Sequence, residues 1–244
     1  MSLAAAAVAL AIGAAMGLLG GGGSLVAIPA FTFLLHLPPK EAVVTSLAVV
    51  GIAAAGGAVS GLIRRTIPVS VAIIVGASAA AGAFAGGLVG ARMNDHTQLA
   101  VLAAVMFGAA IALWLQPRER AVSRRRMTNT SLMSIGFGVG VLTGVVGVGG
   151  GFLMVPALVI GGGLPMREAA AVSLFVIAIA AFSGLLAYVG QASLRWPAIL
   201  PMAAVASMGT LAGSAVAWRL PQRRLQQAFA VSLVALGSFV LTRL

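Results

Sequence analysis

Cysteine is absent from this 244-residue chain, which excludes disulfides, thiolate nucleophiles and cysteine-ligated metals or clusters. Acidic side chains are almost absent as well. The four Asp and Glu residues supply no carboxylate in the middle of any apolar run, so no acid/base pair or Ser/His/Asp set assembles and the chain does not read as an enzyme. The two histidines, His36 and His96, stand at no metal-ligand spacing. Neither a metal nor a cofactor is implied.

Charge of either sign is scarce, at 8% of residues against 61% hydrophobic, with a mean hydropathy of +1.11. A soluble domain carries roughly 25% charged residues, so this chain could not cover a wetted surface. It reads as an all-α polytopic membrane protein forming one transmembrane domain over 1–244. The net charge of +11 would point to nucleic acid in a soluble protein. Here the arginines sit in short loops between apolar runs, where they set orientation, and nucleic acid is not an expected partner. The first residues, Met1-Ser2-Leu3-Ala4, carry no positive stretch of the kind that opens a cleaved signal peptide.

Glycine is plentiful, and its main cluster occurs twice. Gly17-Leu18-Leu19-Gly20-Gly21-Gly22-Gly23-Ser24-Leu25-Val26-Ala27-Ile28-Pro29-Ala30 returns, 127 residues later, as Gly144-Val145-Val146-Gly147-Val148-Gly149-Gly150-Gly151-Phe152-Leu153-Met154-Val155-Pro156-Ala157. The register holds without a gap beyond the motif. Leu37-Pro38 aligns with Leu164-Pro165, Glu41-Ala42 with Glu168-Ala169, Ser46-Leu47 with Ser173-Leu174, and Arg92 with Arg219. The chain is therefore a duplicated unit, with repeat 1 at 1–116, a linker at 117–129 and repeat 2 at 130–244.

Apolar segments run at 3–35, 42–63, 68–91 and 97–116, and again at 130–163, 169–190, 196–218 and 225–242. Six of the eight suit single spans of about 20 residues. The first of each half is too long, since 33 residues of helix would measure roughly 50 Å against a hydrocarbon core of about 30 Å. Each long segment has its glycine cluster in the middle, so each is expected to be a helical hairpin with non-helical backbone buried inside protein. A hairpin plus three spans crosses the membrane an odd number of times, which makes the repeats inverted. Arg64, Arg65, the 118–126 arginines, Arg167, Arg219, Arg223 and Arg224 then share one side; Lys40, Arg92, Arg195 and Arg243 share the other. That split is eleven to four, whereas unbroken long segments and parallel repeats would give nine to six. The positive-inside rule favours the sharper asymmetry, with the 117–129 linker cytoplasmic.

A short helix beginning inside the membrane presents unpaired N–H groups and the positive end of its dipole, which suits an anion. The expected substrate-binding groups are therefore Gly20, Gly21, Gly22, Gly23 and Ser24 at the first break, and Gly147, Gly149, Gly150 and Gly151 at the second. Thr45, Ser46 and Ser173 would face the same space from the next helices. Glycines at small-xxx-small spacing, such as Gly82 and Gly86, read as helix packing. Glu41 and Glu168 read as carboxylates at helix starts.

The paired motif, Gly20-Gly21-Gly22-Gly23-Ser24-Leu25 with Pro29 and then Ala42 leading to Thr45-Ser46-Leu47, repeated near mid-chain, resembles the sulfite exporter TauE/SafE family, also called the toluene-sulfonate uptake permeases. The resemblance covers essentially the whole chain. It departs at Val172, where the first copy has Thr45, and at Val148, where the first has Gly21. It implies a prokaryotic cytoplasmic-membrane transporter exporting small sulfur-containing anions such as sulfite or organosulfonates. Membrane lipid and a coupling proton or sodium ion are the other implied partners. A passive anion channel and a non-transporting scaffold subunit are the alternatives.

Overall fold

In the computed structural model the described residues are 3–21, 23–64, 67–114, 128–147, 151–188 and 195–217, with residues 227, 231, 234, 235 and 238 beyond them. Every regular element among them is a helix: α1 (Leu3–Leu19), α2 (Ser24–Pro29), α3 (Pro39–Ile63), α4 (Val69–Gly90), α5 (Asp95–Trp114), α6 (Asn129–Val146), α7 (Gly151–Pro156), α8 (Met166–Ala187) and α9 (Trp196–Ala217). Proline sets several boundaries. α3, α4 and α8 each follow a proline (Pro38, Pro68, Pro165), with Glu41 and Glu168 in the first turns of α3 and α8, where the helix dipole favours a carboxylate. Pro29 and Pro156 end α2 and α7. A proline has no N–H for the carbonyl one turn back, and each is followed by a five-residue π-helical stretch, Ala30–Leu34 and Ala157–Gly161.

Five helices are long and apolar enough to cross a membrane: Lys40–Ile63, Val69–Gly90, Asn129–Val146, Met166–Ala187 and Trp196–Ala217. α1 is apolar but has 17 residues. The last expected span, 225–242, and the linker at 117–129 lie largely outside the described residues. Large apolar side chains such as Ile73, Phe84, Phe137, Met208 and Leu211 stand on the outside of the bundle, a surface suited to lipid and not to water.

The pairing of helices is not sequential. α1 packs along α9, and α6 along α4. Both contacts are backbone on backbone. A Cβ on Gly13 would strike the Ala206 carbonyl, and one on Gly17 the Thr210 carbonyl; on the other pair, Gly140 meets Ala79 and Gly144 meets Ala83 in the same way. Without a hydrophobic force between helices in lipid, such close approach is what holds them together. Residue numbers rise together in both contacts, so α1 is parallel to α9 and α6 is parallel to α4.

The remaining directions follow from the same kind of register. Phe175 and Ile179 lie against Gly76, Ser183 Oγ donates to the Ala80 carbonyl at 2.7 Å, and Ala187 lies against Gly87, so α8 is parallel to α4. Gly56 faces Ser207 and Gly57 faces Thr210, which sets α9 parallel to α3. At the centre α3 and α8 are antiparallel, with Gly51 against Ala181 and Gly57 against Leu174. Hence α1, α3 and α9 point one way, and α4, α6 and α8 the other. Since α1 and α3 point the same way, the chain between them must come back across the bundle. The counterpart return is visible at its far end, where Gly161 lies against Ile135 near the start of α6.

Candidate anion site at the helix breaks

The first return begins with three glycines that no other residue would replace without strain or collision. Gly20 and Gly21 have φ of 64° and 109°, the left-handed region that glycine tolerates. A Cβ on Gly23 would run into the Ile12 carbonyl and the Met16 amide. The start of α2 is thus drawn back beside Ile12–Met16, below the end of α1 at Leu19. The turn is closed by Gly21 N–H on the Met16 carbonyl at 3.0 Å and by Ser24 N–H and Oγ on the Gly21 carbonyl at 3.1 and 2.7 Å. At the second break Gly147 ends α6 in the left-handed conformation, φ 72°. Gly22, Gly149 and Gly150 lie outside the described residues, and Gly151 opens α7. α2 and α7 touch, so the two returns meet inside the bundle.

Each break is braced by the third helix of the opposite half. Gly20 sits on Ala170 of α8, and Gly147 on Val43 of α3. Ser173, fully buried on α8, donates to the Gly20 and Ala170 carbonyls. Ser46 occupies the same place on α3 and is also fully buried, yet its Oγ has no partner among the described residues. Thr45 beside it is half-buried. The expected hydroxyls therefore divide. Those of Ser24 and Ser173 hold the first break closed through carbonyls, and that of Ser46 is left over.

An unmade hydrogen bond on a buried hydroxyl costs about 1–3 kcal/mol, so Ser46→Ala is expected to stabilise the protein by about 1 kcal/mol in a thermal melt. Ser173→Ala, at the equivalent position, is expected to destabilise by a similar amount because it strips a donor from the Gly20 carbonyl. If Ser46 serves the anion, the first variant gains stability and loses affinity together. A melting shift of the same sign in both variants would show that the two positions do not differ as described.

A cleft opens directly over the first break. Its floor and walls include Gly17, Gly20, Gly57, Ala170 and Leu174, and Ser60, Arg64, Arg167 and Ser214 bring the polar groups. Sequence reading places both arginines among the orientation-setting charges and does not foresee that α3 and α8 bring them to one opening. The opposite end of the bundle gathers Lys40, whose Nζ donates to the Ala91 carbonyl at 3.3 Å, and Glu41, whose carboxylate lies 4.0 Å from the Arg195 guanidinium. That ion pair is surface-exposed on its arginine side and contributes little.

Apolar helices packed around two broken returns, with apolar flanks outside and a cleft at one end, make a multi-pass membrane protein. The comparisons agree. The model of the family described as "Sulfite exporter TauE/SafE" matches residues 5–240, and the chain belongs to that family. A probable membrane transporter protein of Xylella fastidiosa (strain Temecula1 / ATCC 700964) is 26% identical over 95% of this chain and 92% of its own length. The probable membrane transporter proteins YunE and YdhB of Bacillus subtilis (strain 168) are 23% and 25% identical, covering 90% and 94% of this chain and 90% and 96% of theirs. No solved structure matches. The protein is thus a multi-pass transporter of the cell membrane and not an enzyme.

Proposed function

We propose that the protein is a secondary transporter that exports a small sulfur-containing anion, such as sulfite or an organosulfonate, through a site between two inverted repeats, 1–116 and 130–244. The observation that carries the reading is the cleft: two arginines at its mouth and, at its floor, a glycine break on which a hydroxyl from the opposite half is centred. Arg64 and Arg167 raise the local concentration of anions at the opening. Deeper in, where water is scarce, the anion's hydration is replaced between the breaks at Gly20–Gly23 and Gly147–Gly151. There the Gly21, Ser24 and Gly147 N–H groups are spent on the turns themselves, and the unpartnered Ser46 hydroxyl, with Thr45 beside it, is left to donate.

The inverted arrangement draws its support from direction. α1, α3 and α4 in the first half correspond at the 127-residue offset to α6, α8 and α9, and every member of the second set points opposite to its counterpart. The same directions group Arg64 with Arg167 at one end and Lys40 with Arg195 at the other, which makes the cleft face the cytoplasm under the positive-inside rule. Rocking of α1 and α9 against α3 and α8 would then expose the breaks to each side in turn.

The test is uptake of radiolabelled sulfite into proteoliposomes, with and without an imposed proton or sodium gradient. Gradient-dependent flux, competed by sulfoacetate and not by chloride, is the expected result. Flux indifferent to either gradient would replace the carrier with a passive anion pore, and no flux from folded protein would overturn the substrate class.

A further inference from the structure

The cleft has a counterpart on the opposite side of the molecule, and that counterpart is filled. Five residues that line the open cleft, Gly17, Leu18, Gly61, Ser214 and Ala217, correspond at the 127-residue offset to Gly144, Val145, Tyr188, Gly87 and Gly90. The second set is gathered in the same way, with one difference. Where the open cleft has Gly61, the second has the chain's only tyrosine, 1% exposed. Its ring lies against Gly87 and its hydroxyl against Gly90, at the C-terminal end of α4, where any Cβ on Gly90 would collide with it. The hydroxyl donates to the Gly144 carbonyl at 3.1 Å and accepts from Gln98 Nε2 at 2.9 Å, and the same amide donates to the Val145 carbonyl at 2.8 Å.

These contacts fall on the last turn of α6, immediately before the second break. The carbonyls of a helix C-terminus have no partners within the helix, and here Tyr188 and Gln98 supply them. Gln98 comes from α5, which packs against α6 and α7. The plug is therefore anchored from two helices on the carbonyls beside the candidate site, and it is polar enough at its tip to let go into water. A residue that merely filled the core would need neither the hydroxyl nor the amide.

We propose that Tyr188, latched by Gln98, is the gate of the transporter on the face opposite Arg64 and Arg167, and that the protein stands in the state open at the arginine face. The proposal rests on the transporter reading above and adds to it the residue that must withdraw for the anion to leave. The mismatch in an otherwise matched register is what distinguishes the two sides here: a glycine stands at the open cleft where a tyrosine stands at its filled counterpart.

The absence of cysteine makes the test direct. Ala171, on the wall of the open cleft, and Val44, its buried counterpart at the 127-residue offset near the start of α3, are replaced one at a time by cysteine in sided vesicles and treated with a membrane-impermeant maleimide. Ala171→Cys is expected to label from the arginine face only, and Val44→Cys to resist labelling from the far face. Adding Tyr188→Gly, which copies Gly61, should raise the far-face labelling rate of Val44→Cys about tenfold or more, by shifting the population toward an open far side. Gln98→Ala, which keeps the ring and removes the latch, should raise it by a smaller factor and carries the test if the glycine variant fails to fold, as judged by lost sidedness at Ala171→Cys. Fast far-face labelling with Tyr188 in place, or no increase in either folded variant, would overturn the gate. The labelling needs no substrate, so a failure of sulfite flux in the same vesicles would count against the transporter reading and not against the plug.

Discussion

Gly140→Val is expected to prevent stable assembly of the helix bundle, and Gly13→Val to do the same. At each position the added carbon would land on a carbonyl of the partner helix, Ala79 in one case and Ala206 in the other. A carbonyl on a helix cannot rotate away as a side chain can, so α6 must separate from α4, or α1 from α9, along much of its length. Overpacking of an ordinary core costs about 1–3 kcal/mol. Here the loss falls at the upper end, roughly 3 kcal/mol, because in lipid the interface has only contact to hold it. Gly138 lies on the same helix as Gly140 but has nothing within 4 Å of an added Cβ. Gly138→Val is thus the control and should be nearly silent. The check is the yield and melting temperature of monodisperse protein in mild detergent for the three variants. Equal behaviour at 138 and 140 would show that the backbone contact between α6 and α4 does not hold the bundle.

These crossings mark the boundary of what the sequence made legible. The positions of the helices could be read closely: the segments expected at 42–63, 68–91, 169–190 and 196–218 are matched by α3, α4, α8 and α9, because charged or proline-rich loops bound each apolar run. The break in each long segment was legible too, since no helix of that length fits the hydrocarbon core and glycine marks where the chain turns. Which helix packs on which was not. Lipid and protein interior are both apolar, so a membrane helix need not declare its buried face by an alternation of polar and apolar residues. Glycine spacing says that a close contact exists and leaves the partner unnamed, and the partner proves to be in the other half.

The site shows the same division. Ser173 meets the first break at the Gly20 carbonyl, whereas Ser46, at the equivalent place on α3, is buried without a partner among the described residues, a difference that depends on atomic position and not on motif. Tyr188 and Gln98 passed unnoticed because a single tyrosine and a single glutamine form no motif. The signal was nevertheless present in the duplication: a register this strict turns every mismatch, such as Gly61 against Tyr188, into a question. His36 is a smaller instance. It stands where the second copy has Gly163, and both adopt a left-handed backbone, with φ of 53° and 57°. The histidine is there as a turn residue, outside any site.

Charge reversal at the mouth of the cleft, Arg64→Glu with Arg167→Glu, is expected to lower kcat/KM for sulfite presented from that face by about 30-fold at low ionic strength. The estimate comes from Coulomb energy in a wet opening, where each charge contributes about 1 kcal/mol to an anion a few ångströms away and less as it recedes. At about 8 Å in water each charge contributes about 0.5 kcal/mol, and a reversal counts twice, so the two reversals together change the encounter by roughly 2 kcal/mol. Because both side chains are exposed, the effect must shrink as salt is added, falling to a few-fold when the screening length drops to about 3 Å at 1 M. A site that binds the anion through these arginines in a dry pocket would behave differently, since its loss would persist at high salt. The arginines at 118–126 and 219–224 remain to orient the protein, and labelling at Ala171→Cys verifies that they do. Arg92→Glu, at the end of α4 on the opposite face, should leave entry from the cleft side unchanged. Undiminished flux in the double variant at low salt would mean that the anion does not enter between α3 and α8, and the path would have to be sought elsewhere in the bundle.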